Sequence, residues 1–128
     1  MVLLGTASSL FAAKRVGDVA SDFQVLQWQT SEPINLSDYE GQIVILNFFH
    51  PFFEDFAKGP AKVMQEQVFE YFRTRGGNKH GVPVTFISLN TFPSGGESET
   101  NSIINYAGLE LVAVDDSTQP TAGLKQFE

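Results

Sequence analysis

The chain has 128 residues, 42% of them apolar and 12% aromatic, enough for one packed core and about the length of one domain. Eight basic against fifteen acidic side chains leave a formal charge of -7, which disfavours nucleic acid and anionic lipid as partners. There is no cysteine, so a disulfide framework, a thiolate zinc site, a thioether-linked haem and a thiol nucleophile are all excluded.

No repeat or low-complexity tract interrupts the chain, and no run approaches the ~20 apolar residues that span a bilayer, so no membrane insertion is expected. Residues 1–15 read as a leader or disordered N-terminus. Met1 to Ala13 is small and apolar, and Lys14-Arg15 follows it, but no basic side chain precedes it as one would in a secretion signal. Residues 16–128 are expected to form the domain. Asp22 to Trp28 alternates partly and suits a short strand. Ile34 to Gly41 carries a Ser37/Glu40 capping-box spacing and is at most one helical turn. Ile43-Val-Ile-Leu-Asn-Phe-Phe49 is a continuous apolar run too short for a helix, the pattern of a strand covered on both faces, and is expected at the centre of the sheet.

After His50-Pro51 the period becomes helical, with Val63, Met64, Gln67, Val68, Tyr71 and Phe72 at three- and four-residue steps until Gly76-Gly77. About five turns are predicted, with Pro60 either in the first turn or inside a helix that starts near Asp55. Val82 to Asn90 is a second β-rich run and Ser94-Gly-Gly a loop. Glu97 to Ala107 reads as a helix presenting Ile103, Ile104 and Ala107, closed by Gly108. Leu109 to Val114 is a third strand, and Thr121 to Phe127 begins another helix. Strands and helices in alternation predict an α/β fold with a mostly parallel central sheet and helices on its faces.

Two segments carry a family likeness. Val16-Gly-Asp-Val-Ala-Ser-Asp-Phe23 and Asn35-Leu-Ser-Asp-Tyr-Glu-Gly-Gln-Ile-Val-Ile-Leu-Asn-Phe-Phe49 resemble the opening of TlpA-like and AhpC/TSA thioredoxin-fold proteins. Those proteins run G-x-x-A-P-D-F, then L-S-D-Y-K-G-K-V-V-V-L-N-F, then W-C-x-x-C with a proline further on. The likeness covers residues 16–127 and implies a three-layer thioredoxin-like fold. It departs from the pattern at Pro51-Phe52-Phe53-Glu54-Asp55-Phe56, which stands where the cysteine motif would. Phe53 and Phe56 take the two cysteine positions, and Pro60 matches the helix proline. A second departure is at the end: the G-I-P segment and β-hairpin of the family are missing, so the fold is expected to be truncated. A partner or a second copy is then expected to cover the sheet edge.

The resemblance therefore implies a redox-inactive thioredoxin-like domain that serves as a protein-binding or structural module. The alternative is a part of a thiol-disulfide oxidoreductase or peroxidase whose cysteines are lost or lie outside this chain. No cofactor and no metal are expected. The resemblance also favours an extracytoplasmic compartment. His50 and Glu54 have the chemistry of a metal or acid/base pair but no third convergent ligand nearby. Their simpler roles are a turn residue before Pro51 and, for Glu54 or Asp55, a cap on the helix that follows. His80 reads as a solvated loop residue. Five of the twelve phenylalanines fall within nine residues, Phe48, Phe49, Phe52, Phe53 and Phe56. Phe48 and Phe49 are expected in the core. Phe52, Phe53 and Phe56 have two readings, filling for a collapsed site or an exposed surface on which a protein partner docks.

Overall fold

A computed structural model of the chain describes residues 14–92, 94–114 and 124–127. Most of the expected leader, and residues 121–123 of the expected last helix, lie outside the described residues. Phe23 is buried, and β1 (Gln24–Gln27) follows it, paired antiparallel with a short strand the sequence did not announce, β2 (Pro33–Asn35). Leu36–Tyr39 then makes one 3-10 turn. Its capping pair is Asn35 with Asp38, not Ser37 with Glu40: the Asn35 N–H donates to Asp38 Oδ2 over 2.9 Å. Strand pairing takes the chain up to Asn35, so the turn starts two residues earlier than the expected box would place it.

β3 (Ile43–Phe49), β4 (Val84–Asn90) and β5 (Val112–Val114) are parallel, as the alternation predicted, whereas β1 joins β5 antiparallel. The result is a mixed sheet of order β2-β1-β5-β4-β3. One position changes: β3, expected at the centre, is at the edge among the described strands. The fully covered strand is β4, whose Phe86, Ile87, Ser88, Leu89 and Asn90 are all buried. A run of apolar residues reports affinity for a sheet but not rank within it, and β3 buries only Phe49 completely. Phe48 is 45% exposed, a correction to its expected place in the core, with the Phe127 ring 6.4 Å away.

The expected five-turn helix runs from Glu54 to Arg73 in three pieces: α1 (Glu54–Val63), a π-helical stretch (Met64–Phe69) and α2 (Glu70–Arg73). Pro60 sits inside α1, where it has no N–H to return to the Phe56 carbonyl. Gln65 goes inward and bonds Glu70, while Val63 and Tyr71 of the expected stripe stay exposed. At the end of α2 the Gly77 N–H donates to the Phe72 carbonyl. The backbone φ there is +113°, and a Cβ would fall 2.4 Å from the Val82 carbonyl oxygen, so only glycine fits. α3 spans Glu97–Ala107 and ends on Gly108 at φ +66°, matching the expected bounds.

Both helices pack on one face of the sheet, where Phe49, Ala61, Phe86, Ile103, Ala107 and Val112 form the core. The other face gathers Phe23, Val25, Ile34, Ile87, Leu89 and Ala113, and is covered by Leu36, Tyr39 and Leu124. Leu124 opens a last 3-10 turn (Leu124–Phe127). Among the described residues no helix is long and apolar enough to cross a membrane.

Candidate functional site

In an open sheet of parallel strands, side chains that act on other molecules gather beyond the carboxyl ends of the strands, where helix N-termini also converge. Here that region is built by the ends of β3 and β4 and the starts of α1 and α3. The Thr91 N–H donates to the Phe49 carbonyl over 2.9 Å and prolongs the β3–β4 ladder by one step. Buried Asn90 then fixes the loop that follows. Its Nδ2 donates to Thr100 of α3, itself fully buried, and its Oδ1 accepts the Phe92 N–H at 2.8 Å. Satisfying a buried amide on both sides leaves this loop one course, and that course brings Phe92 back to β3.

His50 leaves β3 and opens a 3-10 turn, Pro51–Phe53, as its N-terminal residue. Its Nδ1 accepts the Phe52 N–H at 3.3 Å, which assigns the proton of the neutral ring to Nε2. Three rings surround it, with centroids 5.2 Å (Phe92), 5.3 Å (Phe53) and 5.7 Å (Phe52) away. Phe52 also meets Phe92 edge-on at 5.3 Å. Gly95 and Gly96 complete the packing, since a Cβ on Gly96 would lie 2.5 Å from the Pro51 ring and one on Gly95 2.9 Å from Phe92. His50 is thus the turn residue expected, held in an aromatic setting that the local sequence does not show, because Phe92 comes from another loop.

The outer side of this cluster faces solvent. Phe52 is 55% exposed, Phe53 59% and Phe56 80%. All three rings therefore lie at the surface rather than packed inside. With Glu54 and Asp55 they line a hollow of about 240 Å³ at the start of α1. Neither carboxylate caps the helix with a side-chain bond, a correction to the expected role: Phe53 is the N-terminal cap residue, and Glu54 and Asp55 lie in the first turn. There they still answer the positive end of the helix. Glu54 instead bonds Lys58 one turn on and accepts the Ser102 hydroxyl of α3. Lys58 first, and Ser102 after it, hold the Glu54 carboxyl below its ordinary range. Ser102 carried no signal in the sequence, since only the fold brings it 48 residues back to Glu54. His80 is exposed in its loop, its N–H donated to the Asn78 side chain, and stands apart from this cluster.

Chemically, the hollow offers aromatic surface and carboxylate. It contains no thiol, and disulfide exchange has no group to carry it in this chain. Among the described residues no three of His, Cys, Asp and Glu gather as metal ligands would.

No protein-family model and no curated protein matches the chain. Solved structures do. The thioredoxin domain of a thiol-disulfide oxidoreductase from Bacteroides vulgatus superposes with a TM-score of 0.57 at 14% identity, over 90% of this chain and 74% of that one. A putative protein disulfide isomerase from Bacteroides thetaiotaomicron gives 0.61 at 13%, over 88% of this chain and 63% of that one. Yeast Sco1 with copper bound gives 0.59 at 9%, over 86% and 59%. The chain therefore spans under two thirds of the length of the last two. At these identities the likeness is one of fold: the chain has the thioredoxin-like α/β fold that thiol-disulfide oxidoreductases and Sco proteins share, without a cysteine in it.

Proposed function

We propose that this chain is a redox-inactive thioredoxin-like module that binds another protein through Phe52, Phe53 and Phe56, with Phe53 and Phe56 at the two positions that hold cysteines in the oxidoreductases. The observation that carries this reading is the exposure of three neighbouring phenylalanines at the start of α1. Burying a ring in the core is the ordinary use of phenylalanine, and a contiguous exposed aromatic patch more often marks an interface. A rigid base supports it, since the Asn90–Thr100 bond and the His50 rings fix the turn from behind.

The test has two arms. Added to insulin and dithiothreitol, the protein is expected to leave the rate of disulfide reduction at that of buffer. A partner captured from the source organism, then purified, is expected to lose more than about 2 kcal/mol of affinity, about 30-fold, on Phe53→Ala, and nothing on the distant Tyr71→Ala. Equal affinity for the wild type and the Phe53→Ala/Phe56→Ala double variant would remove the docking role. A second reading is favoured by one observation, the 63% and 74% of the two Bacteroides chains that this chain spans. On that reading it is part of a thiol-disulfide oxidoreductase whose cysteines lie outside it. A complete reading frame without a cysteine pair ends that alternative.

A further inference from the structure

Resting on that docking reading, we propose that the hollow at the start of α1 receives one cationic side chain, lysine or arginine, carried on an apolar segment of the partner protein. Size limits the ligand first. The hollow measures about 240 Å³, below the roughly 300–1,000 Å³ of sites for whole small molecules. It suits a single long side chain whose neighbours lie on the rings outside.

Charge then chooses among side chains. The faces of aromatic rings attract cations, and here three rings and two carboxylates share one lining. The carboxylates differ in what they have to offer. Glu54 is engaged by Lys58 and Ser102. Asp55 is exposed and has no ion-pair partner among the described residues. The flank is acidic as well. α3 packs against the Pro51–Phe53 turn and begins with Glu97 and Glu99. Lys58, a cation at this end of α1, is already held by Glu54. The positive end of the α1 dipole opposes a cation, but it amounts to about half a charge and faces two carboxylates in its own first turn. An apolar segment carrying a carboxylate would meet repulsion, and one without charge would leave Asp55 unanswered beneath it.

The test is a titration of the 128-residue chain, followed by nuclear magnetic resonance at the Phe52, Phe53 and Phe56 signals. The probes are three short capped peptides, Leu-Phe-Xaa-Phe-Leu, with arginine, norleucine or glutamate at the centre. The arginine peptide is expected to bind at these rings at least about fivefold more tightly than the norleucine peptide, with the glutamate peptide weakest. Asp55→Asn, confirmed as folded by unchanged signals from β4, is expected to erase the preference for arginine while keeping norleucine binding. Equal binding of the arginine and norleucine peptides at the rings, or a preference that survives Asp55→Asn, overturns the cationic ligand and leaves the docking reading standing. If no peptide moves the three ring signals, both fall together.

Discussion

Glu54 is the residue through which α1 and α3 are joined at the site. Its partners lower its folded-state pKa below the ordinary 4.5, so the sign of its contribution follows. A carboxyl whose pKa is depressed on folding stabilises the protein above its unfolded pKa, and that stability is lost as pH falls through the folded value. Because the side chain is 29% exposed, solvent screens the effect and it should be modest. Glu54→Gln is expected to lower stability at neutral pH, and in urea titrations across the acid range the gap between variant and wild type should close. A gap of constant size from pH 7 to pH 3 would show that the ion pair and the Ser102 bond contribute nothing. Buried Asn90 acts differently, since it has no charge to titrate and holds the loop by geometry alone.

At the scale of elements, the junction between α2 and β4 rests on Gly77. Alanine there must adopt φ +113° and push back the Val82 carbonyl, which lies 2.4 Å from where its Cβ would go. Strain of this kind costs on the order of 1–3 kcal/mol, and Gly77→Ala should lower the urea midpoint accordingly with an unchanged slope. The same junction shows what the sequence made legible. The Gly76-Gly77 stop, the bounds of α3 and the three parallel strands were all readable from punctuation and period, because each depends on local backbone chemistry. The inward face of the long helix is not: the apolar stripe points Val63 and Tyr71 inward, whereas polar Gln65, one turn after buried Ala61, goes there instead. β3 was readable as a strand and misplaced in rank, since rank depends on which other strands lie beside it. For the site, the sequence shows the aromatic run but not which way its rings face, and Phe92 and Ser102 arrive from distant segments with no pattern to announce them. That Glu54 binds Lys58 rather than capping α1 follows from the 3-10 turn Pro51–Phe53, which makes Phe53 the residue at the cap.

For the molecule as a whole, charge and the sheet edge work against each other. At -7 the copies of this chain repel one another in dilute buffer. β3, by contrast, ends the described sheet with an uncharged seven-residue strand, free of proline, whose outer backbone groups pair with no described strand. Natural edges usually carry a charge, a bulge or a proline that blocks further pairing, and this one has none of the three. Raising the salt from ~10 mM to ~1 M shortens the reach of the repulsion from roughly 30 Å to 3 Å. Sedimentation velocity is therefore expected to show one slow species at low salt and a growing share of larger ones at high salt, and a lysine at the exposed Phe48, Phe48→Lys, should suppress them. A distribution indifferent to salt would mean that the edge is covered. If it is open, β3 makes this fold depend on its ionic surroundings for its solubility: long-range repulsion between copies would then keep them apart where the strand itself supplies no local safeguard.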